Sequence, residues 1–122
     1  MKNRVAAVEA MEGATLISIH QNTYTSSQYH GAQVFYAPTE GSQALAEGFQ
    51  TALQKRLQPD NERVAKQIPD SVYLMNHITC PAILVECGFL TNPQEADMLL
   101  DQCYQRQLVG VLAVDWLSEK RS

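Results

Sequence analysis

The sequence predicts an α/β fold: a mostly parallel sheet flanked by helices. Three observations predict it. "TLISIH" (Thr15–His20) and "AILVE" (Ala82–Glu86) are short, β-branched and nearly all apolar, as buried strands are. Leu45, Phe49, Leu53 and Leu57 recur every four residues, the stripe of one amphipathic helix. Strand-like and helix-like segments alternate along the chain instead of segregating. The 122 residues suffice for one ordinary domain, and residues 1–122 read as a single one, with no repeat, low-complexity tract or linker.

The elements follow in order. Residues 2–12 fit a helix, with Val5, Val8 and Met11 at three-residue spacing, and Gly13 ends it. The strand Thr15–His20 leads into the polar, turn-rich stretch Gln21–Gly31, read as an exposed loop. "AQVFYA" (Ala32–Ala37) is a second strand, and Pro38–Gly41 a turn. Ser42 is the expected N-cap of the helix carrying the leucine stripe, which Pro59 stops. Residues 58–70 read as an irregular surface segment. "SVYLM" is a strand candidate, and "AILVE" a further strand. "TNPQE" starts a helix: Asn92 caps, Pro93 takes the first helical position, and Glu95 reaches back to the cap N–H. Helical spacing then continues to the C-terminus, with a break expected near Asp101 or Gly110.

Composition narrows the function classes. Hydrophobic residues make up 45% and charged residues 18%, the balance of a globular chain rather than a disordered one. The net charge of −4 is spread out, and no Lys/Arg stripe marks a nucleic-acid face. The longest apolar run, Val109–Val114, is broken by Gly110 and too short to span a bilayer. "MKNRVAAVEAMEG" carries charge throughout and does not read as a signal peptide. Cys80, Cys87 and Cys103 form no C-x-x-C pair and are odd in number, so they read as small apolar thiols, although Cys80 lies three residues from His77. No sequence signal fixes an oligomeric state.

Two strands end in chemistry. His20 closes one and Glu86 the other, and open α/β sheets form their sites outside the carboxyl ends of strands. If these strands are parallel neighbours, both side chains open onto the same edge. A histidine ending a strand is commonly just a surface residue. A carboxylate followed by Cys87, Gly88 and Phe89 stays in apolar surroundings, and a buried carboxylate is costly unless paired or metal-bound. Asn22, two residues after His20, either holds the loop or orients His20 or a substrate amide.

"SIHQN", then "GAQVFY", then "PAILVECGFLTNPQEADML" resemble the zinc-dependent N-acetylmuramoyl-L-alanine amidases of peptidoglycan metabolism, from about Arg4 onward. "HQNTYTSSQYHGAQVFYA" is most similar to the spore-cortex, germination-type branch. The resemblance implies that His20 is a zinc ligand and Glu86 the catalytic general base; Asn22, by its place two residues after His20, is the substrate-binding candidate. It implies hydrolysis of the amide between N-acetylmuramic acid and L-alanine, outside the cytoplasm. The partner is then the glycan–peptide substrate. Val85, Cys87 and Phe89 around Glu86 are expected to lift its pKa.

The family holds its zinc with His, Glu and His, and the motifs carrying the first two do not occur in this sequence. One ligand, His20, matches, where a catalytic zinc needs about three. The chain therefore reads as the C-terminal portion of an amidase catalytic domain, missing the family's opening strand and helix. It is expected to bind zinc weakly and hydrolyse poorly. His30, His77, Glu9 and Glu12 show no ligand-pair spacing that replaces the missing donors. Two other readings stand beside this one: a non-catalytic wall-binding or regulatory module, and a cysteine–histidine hydrolase using Cys80 or Cys87.

Overall fold

Strand Ala82–Phe89 is the spine of the molecule, buried almost throughout and paired on both sides. The computed structural model describes residues 2–11, 13–22, 31–89 and 93–120. In chain order its elements are α1 (Lys2–Glu9), β1 (Leu16–Asn22), β2 (Gln33–Tyr36), α2 (Ser42–Arg56), β3 (Lys66–Gln67), α3 (Tyr73–His77), β4 (Ala82–Phe89), α4 (Pro93–Leu100) and α5 (Gln102–Lys120). The sheet order is β1-β4-β2-β3. β1 pairs parallel to β4, and β2 parallel to β3, while β2 runs antiparallel to β4. Two of three pairings are parallel, so the sheet is mixed with a parallel majority, flanked by helices as expected.

The two faces of the sheet are covered by different helices, as alternation along a strand requires. Val34, Ile83, Val85 and Cys87 pack with Leu45, Phe49 and Leu53 of α2, Leu99 of α4 and Leu108 and Leu112 of α5. Ala82 and Leu84 pack on the other face with Met75 of α3, Ile78, and Val5 and Val8 of α1. The stripe Leu45, Phe49, Leu53 is the buried face of α2, with Leu57 partly buried beyond it.

Several local expectations change. "SVYLM" is not a strand; Tyr73–His77 is a short helix that packs Met75 into the core. Ser42 does not cap α2. Gly41 holds that position with φ 86°, a left-handed turn suited to glycine. The Ser42 hydroxyl instead accepts from the Ala82 N–H at 2.9 Å and pairs with Thr39 Oγ1 at 2.6 Å, tying α2 to the start of β4. Residues 58–70 are not wholly surface: Asn61 and Ile68 are buried, and Lys66–Gln67 adds the fourth strand. The helix break falls at Asp101, and Gly110 continues α5. Asn92 lies outside the described residues, whereas Pro93 opens α4 as expected.

Candidate functional site

His20 and Glu86 are direct register partners on the parallel strands β1 and β4. In-register neighbours share a face, so both side chains leave the sheet on one side. That side is the one where Ala82 and Leu84, earlier on β4, pack under α3 and α1. The parallel-neighbour expectation therefore holds, and the carboxyl ends of the two strands supply the imidazole and the carboxylate. Directly after this pair the ladder shifts: the next partners are Asn22 and Phe89, so two residues of β1 oppose three of β4. Such a bulge re-aims the chain beside a site. Gly88 lies in it, and a Cβ there would stand 3.1 Å from Glu95 Oε1 and 3.4 Å from Leu99 Cδ1.

The electrostatics differ between the two groups. His20 is exposed, and its Nε2 shares a 2.8 Å hydrogen bond with Ser18 Oγ, two residues back on the same face. Glu86 is half-buried, and its Oε2 is enclosed with no hydrogen-bond partner among the described residues. Burial holds the Glu86 carboxyl above the usual carboxylate range, partly offset by the nearby His20. A carboxylate with a raised pKa and an unpaired oxygen is suited to accept a proton and release it again. An open cavity of about 610 Å³ runs along β1, with His20, Ile19, Cys87 and Leu108 in its wall. β1 is the sheet's edge among the described strands, and Ile19 on it is 56% exposed.

Other predicted residues sit elsewhere. The backbone of Asn22 ends β1, but its side chain, like that of Phe89, is outside the described residues, as are Glu12 and His30. His77 lies at the end of α3, stacked on Tyr73 and bonded to its carbonyl. Glu9 accepts from both the N–H and the hydroxyl of Thr79, joining α1 to the segment after α3. The cysteine–histidine reading loses its basis. Cys87 is buried and its thiol is pushed up to about 11, and burial also raises Cys80.

The zinc implied by the sequence resemblance meets one donor of the right kind: His20 has a ring nitrogen not used by Ser18. The number is short: among the described residues no group of three His, Cys, Asp or Glu is placed to hold a metal. These residues do not close a zinc site by themselves.

Sequence reasoning missed the buttress behind the site. Glu95, 8% exposed on α4, accepts from the Gly31 N–H at 2.6 Å, fixing the entry to β2. Ala32 N–H donates to Gln58 Oε1 at 2.9 Å, and the Ala32 carbonyl accepts from Asn61 and Gln50. Gln58 donates onward to the Tyr104 hydroxyl at 2.6 Å. The isolated Gly88 within a strand run was the available signal for the bulge. Long-range bonds such as Glu95 to Gly31 carry no local signal.

A family model described as N-acetylmuramoyl-L-alanine amidase matches residues 1–113. The germination-specific N-acetylmuramoyl-L-alanine amidase of Bacillus subtilis is 37% identical over 111 residues, covering 90% of this chain and 46% of the relative. The probable cell wall amidase LytH of Staphylococcus epidermidis is 29% identical over 109 residues, covering 89% and 36%. Among solved structures, the CwlD amidase of Clostridioides difficile, in complex with the GerS lipoprotein, superposes with a TM-score of 0.89 at 31% identity. It is matched over 96% of this chain and 59% of its own. An N-acetylmuramoyl-L-alanine amidase from Clostridium difficile 630 gives 0.89 at 28% identity, over 99% and 65%. The chain thus spans less than half the length of both curated relatives.

Proposed function

Because the chain belongs to the N-acetylmuramoyl-L-alanine amidase family, we propose that it serves hydrolysis of the amide between N-acetylmuramic acid and L-alanine in peptidoglycan. The observation that carries the reading is the in-register pair of His20 and Glu86, with a Glu86 oxygen enclosed and unpaired. Glu86 takes the proton of the attacking water and delivers it to the departing amine of L-alanine. His20 is the donor toward zinc, and Ser18 fixes its ring. Zinc, when bound, supplies Lewis acidity at the scissile carbonyl. Asn22 contacts the substrate near His20.

The work lies outside the cytoplasm, where peptidoglycan is. Among the described residues, no helix is long and apolar enough to cross a membrane. The germination branch is supported by 37% identity to the germination-specific relative, against 29% to the cell wall amidase.

The test is release of new L-alanine amino ends from purified peptidoglycan at saturating zinc. Release is expected to be slow and to depend on Glu86, with Glu86→Gln lowering it about 10²- to 10⁴-fold. Equal release by both proteins overturns the reading. A second reading, a wall-binding module without hydrolysis, is favoured by the single matching ligand, and it predicts binding of peptidoglycan with no release by either protein.

A further inference from the structure

Glu86 is the last residue of β4 held in regular pairing on both sides. Toward β1 the register shifts directly after His20 and Glu86. Toward β2 the antiparallel pairing runs from Tyr36 and Ile83 to Gln33 and Glu86, and ends there. Continued by two residues, the same register would set Gly31 opposite Gly88. Instead the chain turns at Gly31, with φ 92°, and the Ala32 backbone is taken by Gln58, Asn61 and Gln50. The Glu95 carboxylate stands between the two glycines. Its Oε2 accepts from the Gly31 N–H at 2.6 Å, and a Cβ on Gly88 would lie 3.1 Å from its Oε1 and 3.3 Å from its Cδ. One side chain thus occupies the place where the ladder would have gone on.

A strand end released from its ladder is free to fray. Glu86 is held from behind by the paired residues Ile83 to Val85. Ahead of it, the bulge and the Glu95 contact do that work. Glu95 is well anchored for the task. It lies 8% exposed in the first turn of α4, a helix whose Leu99 packs into the core. A carboxylate suits the position because its two oxygens reach both strands, whereas an apolar side chain would leave the Gly31 N–H without this acceptor. A reacting group needs its support fixed to about 0.5 Å, so movement at Gly88 is felt at Glu86.

We propose that Glu95 is a positioning residue for Glu86: its carboxylate, set between Gly31 and Gly88, holds the strand end from which the Glu86 side chain acts. This rests on the amidase reading above. Glu95 takes no part in proton transfer and touches no reacting atom; it keeps Glu86 in register with His20. Glutamine at this position keeps the length and an oxygen that accepts from the Gly31 N–H. Alanine keeps neither.

The test compares Glu95→Ala and Glu95→Gln with Gln50→Ala, which removes buried bonds to Val34 and Ala32 of the same segment but lies away from Gly88. Release of L-alanine amino ends from soluble peptidoglycan fragments is followed with zinc supplied, at a temperature where circular dichroism shows each variant folded. Glu95→Ala is expected to lower kcat about 10- to 100-fold with KM within about twofold, the pattern of a misplaced reacting group. Glu95→Gln restores kcat to within about threefold of the parent, and Gln50→Ala leaves it unchanged. If the alanine chain does not fold, Glu95→Asp, too short to span both glycines, is expected to show the same fall. A parent kcat in Glu95→Ala, or an equal fall in Gln50→Ala, overturns the proposal and leaves the amidase reading standing. No release by the parent chain overturns the amidase reading, and the placement is then read from backbone amide resonances. Glu86 and His20 signals that move in Glu95→Ala but not in Gln50→Ala uphold it, and signals that stay in place overturn it.

Discussion

Two polar regions border the same end of the sheet, and they are built in opposite ways. Around Gly31 and Ala32 the carboxylate of Glu95, the amides of Gln58, Asn61 and Gln50 and the hydroxyl of Tyr104 are all engaged in hydrogen bonds. At the ends of β1 and β4, Glu86 keeps an enclosed oxygen without a partner among the described residues, and His20 stands exposed beside it. Buried polar groups that serve the fold are paired, because leaving one unmade costs stability. Glu86 is the group proposed above as the general base. The paired region supports the unpaired one: Glu95 fixes Gly31 two residues before Gln33, and closes on Gly88 two residues after Glu86.

The comparison can be broken on the paired side. Glu95→Ala removes a charge-assisted bond and leaves the Gly31 N–H without it, so stability to urea should fall by about 2 kcal/mol. A loss below a few tenths of that figure means that Glu95 is not a buttress. Gly88→Ala places a methyl 3.1 Å from the Glu95 carboxylate, and the crowding should cost about 1 kcal/mol. The same substitution in a Glu95→Ala background should cost less, and an unchanged cost would show that the two sites are independent.

The smallest effect sharpens the contrast through pH. Hydrogen bonds from the Thr79 side chain and backbone lower the Glu9 pKa, whereas burial raises that of Glu86. A lowered folded-state pKa means that Glu9 stabilises at neutral pH and loses that contribution as pH falls through and below the ordinary carboxylate range. Glu86 has the opposite sign: its charged form disfavours the fold, and the penalty is relieved as pH falls through its raised pKa. Melting curves from pH 7 to 3 should show Glu9→Gln removing a loss on acidification and Glu86→Gln removing a gain.

The sequence made the two site-bearing strands legible because each is a compact apolar run ended by a functional side chain, and in "AILVE" nothing competes with the strand period. The α2 stripe was equally plain from Leu45, Phe49 and Leu53. "SVYLM" misled because five mixed residues carry too little periodicity to separate a strand from one helical turn, and Met75 needs burial either way. Ser42 misled because its hydroxyl found a tertiary partner, the Ala82 N–H, which no local rule anticipates. Gln33 was invisible for the same reason: its place opposite Glu86 comes from the antiparallel register of β2 with β4, a pairing between segments some fifty residues apart. Glu86 itself was readable, since an acid closing the most apolar run of the chain is costly without a purpose.

The most direct measurement takes Glu86→Gln and reads melting temperature at pH 7 beside release of L-alanine amino ends from peptidoglycan with zinc supplied. If Glu86 serves chemistry and not the fold, the variant melts at the same temperature or higher, while the release seen with glutamate at this position is lost. A variant that melts lower and still releases L-alanine ends at the parent rate would contradict the account.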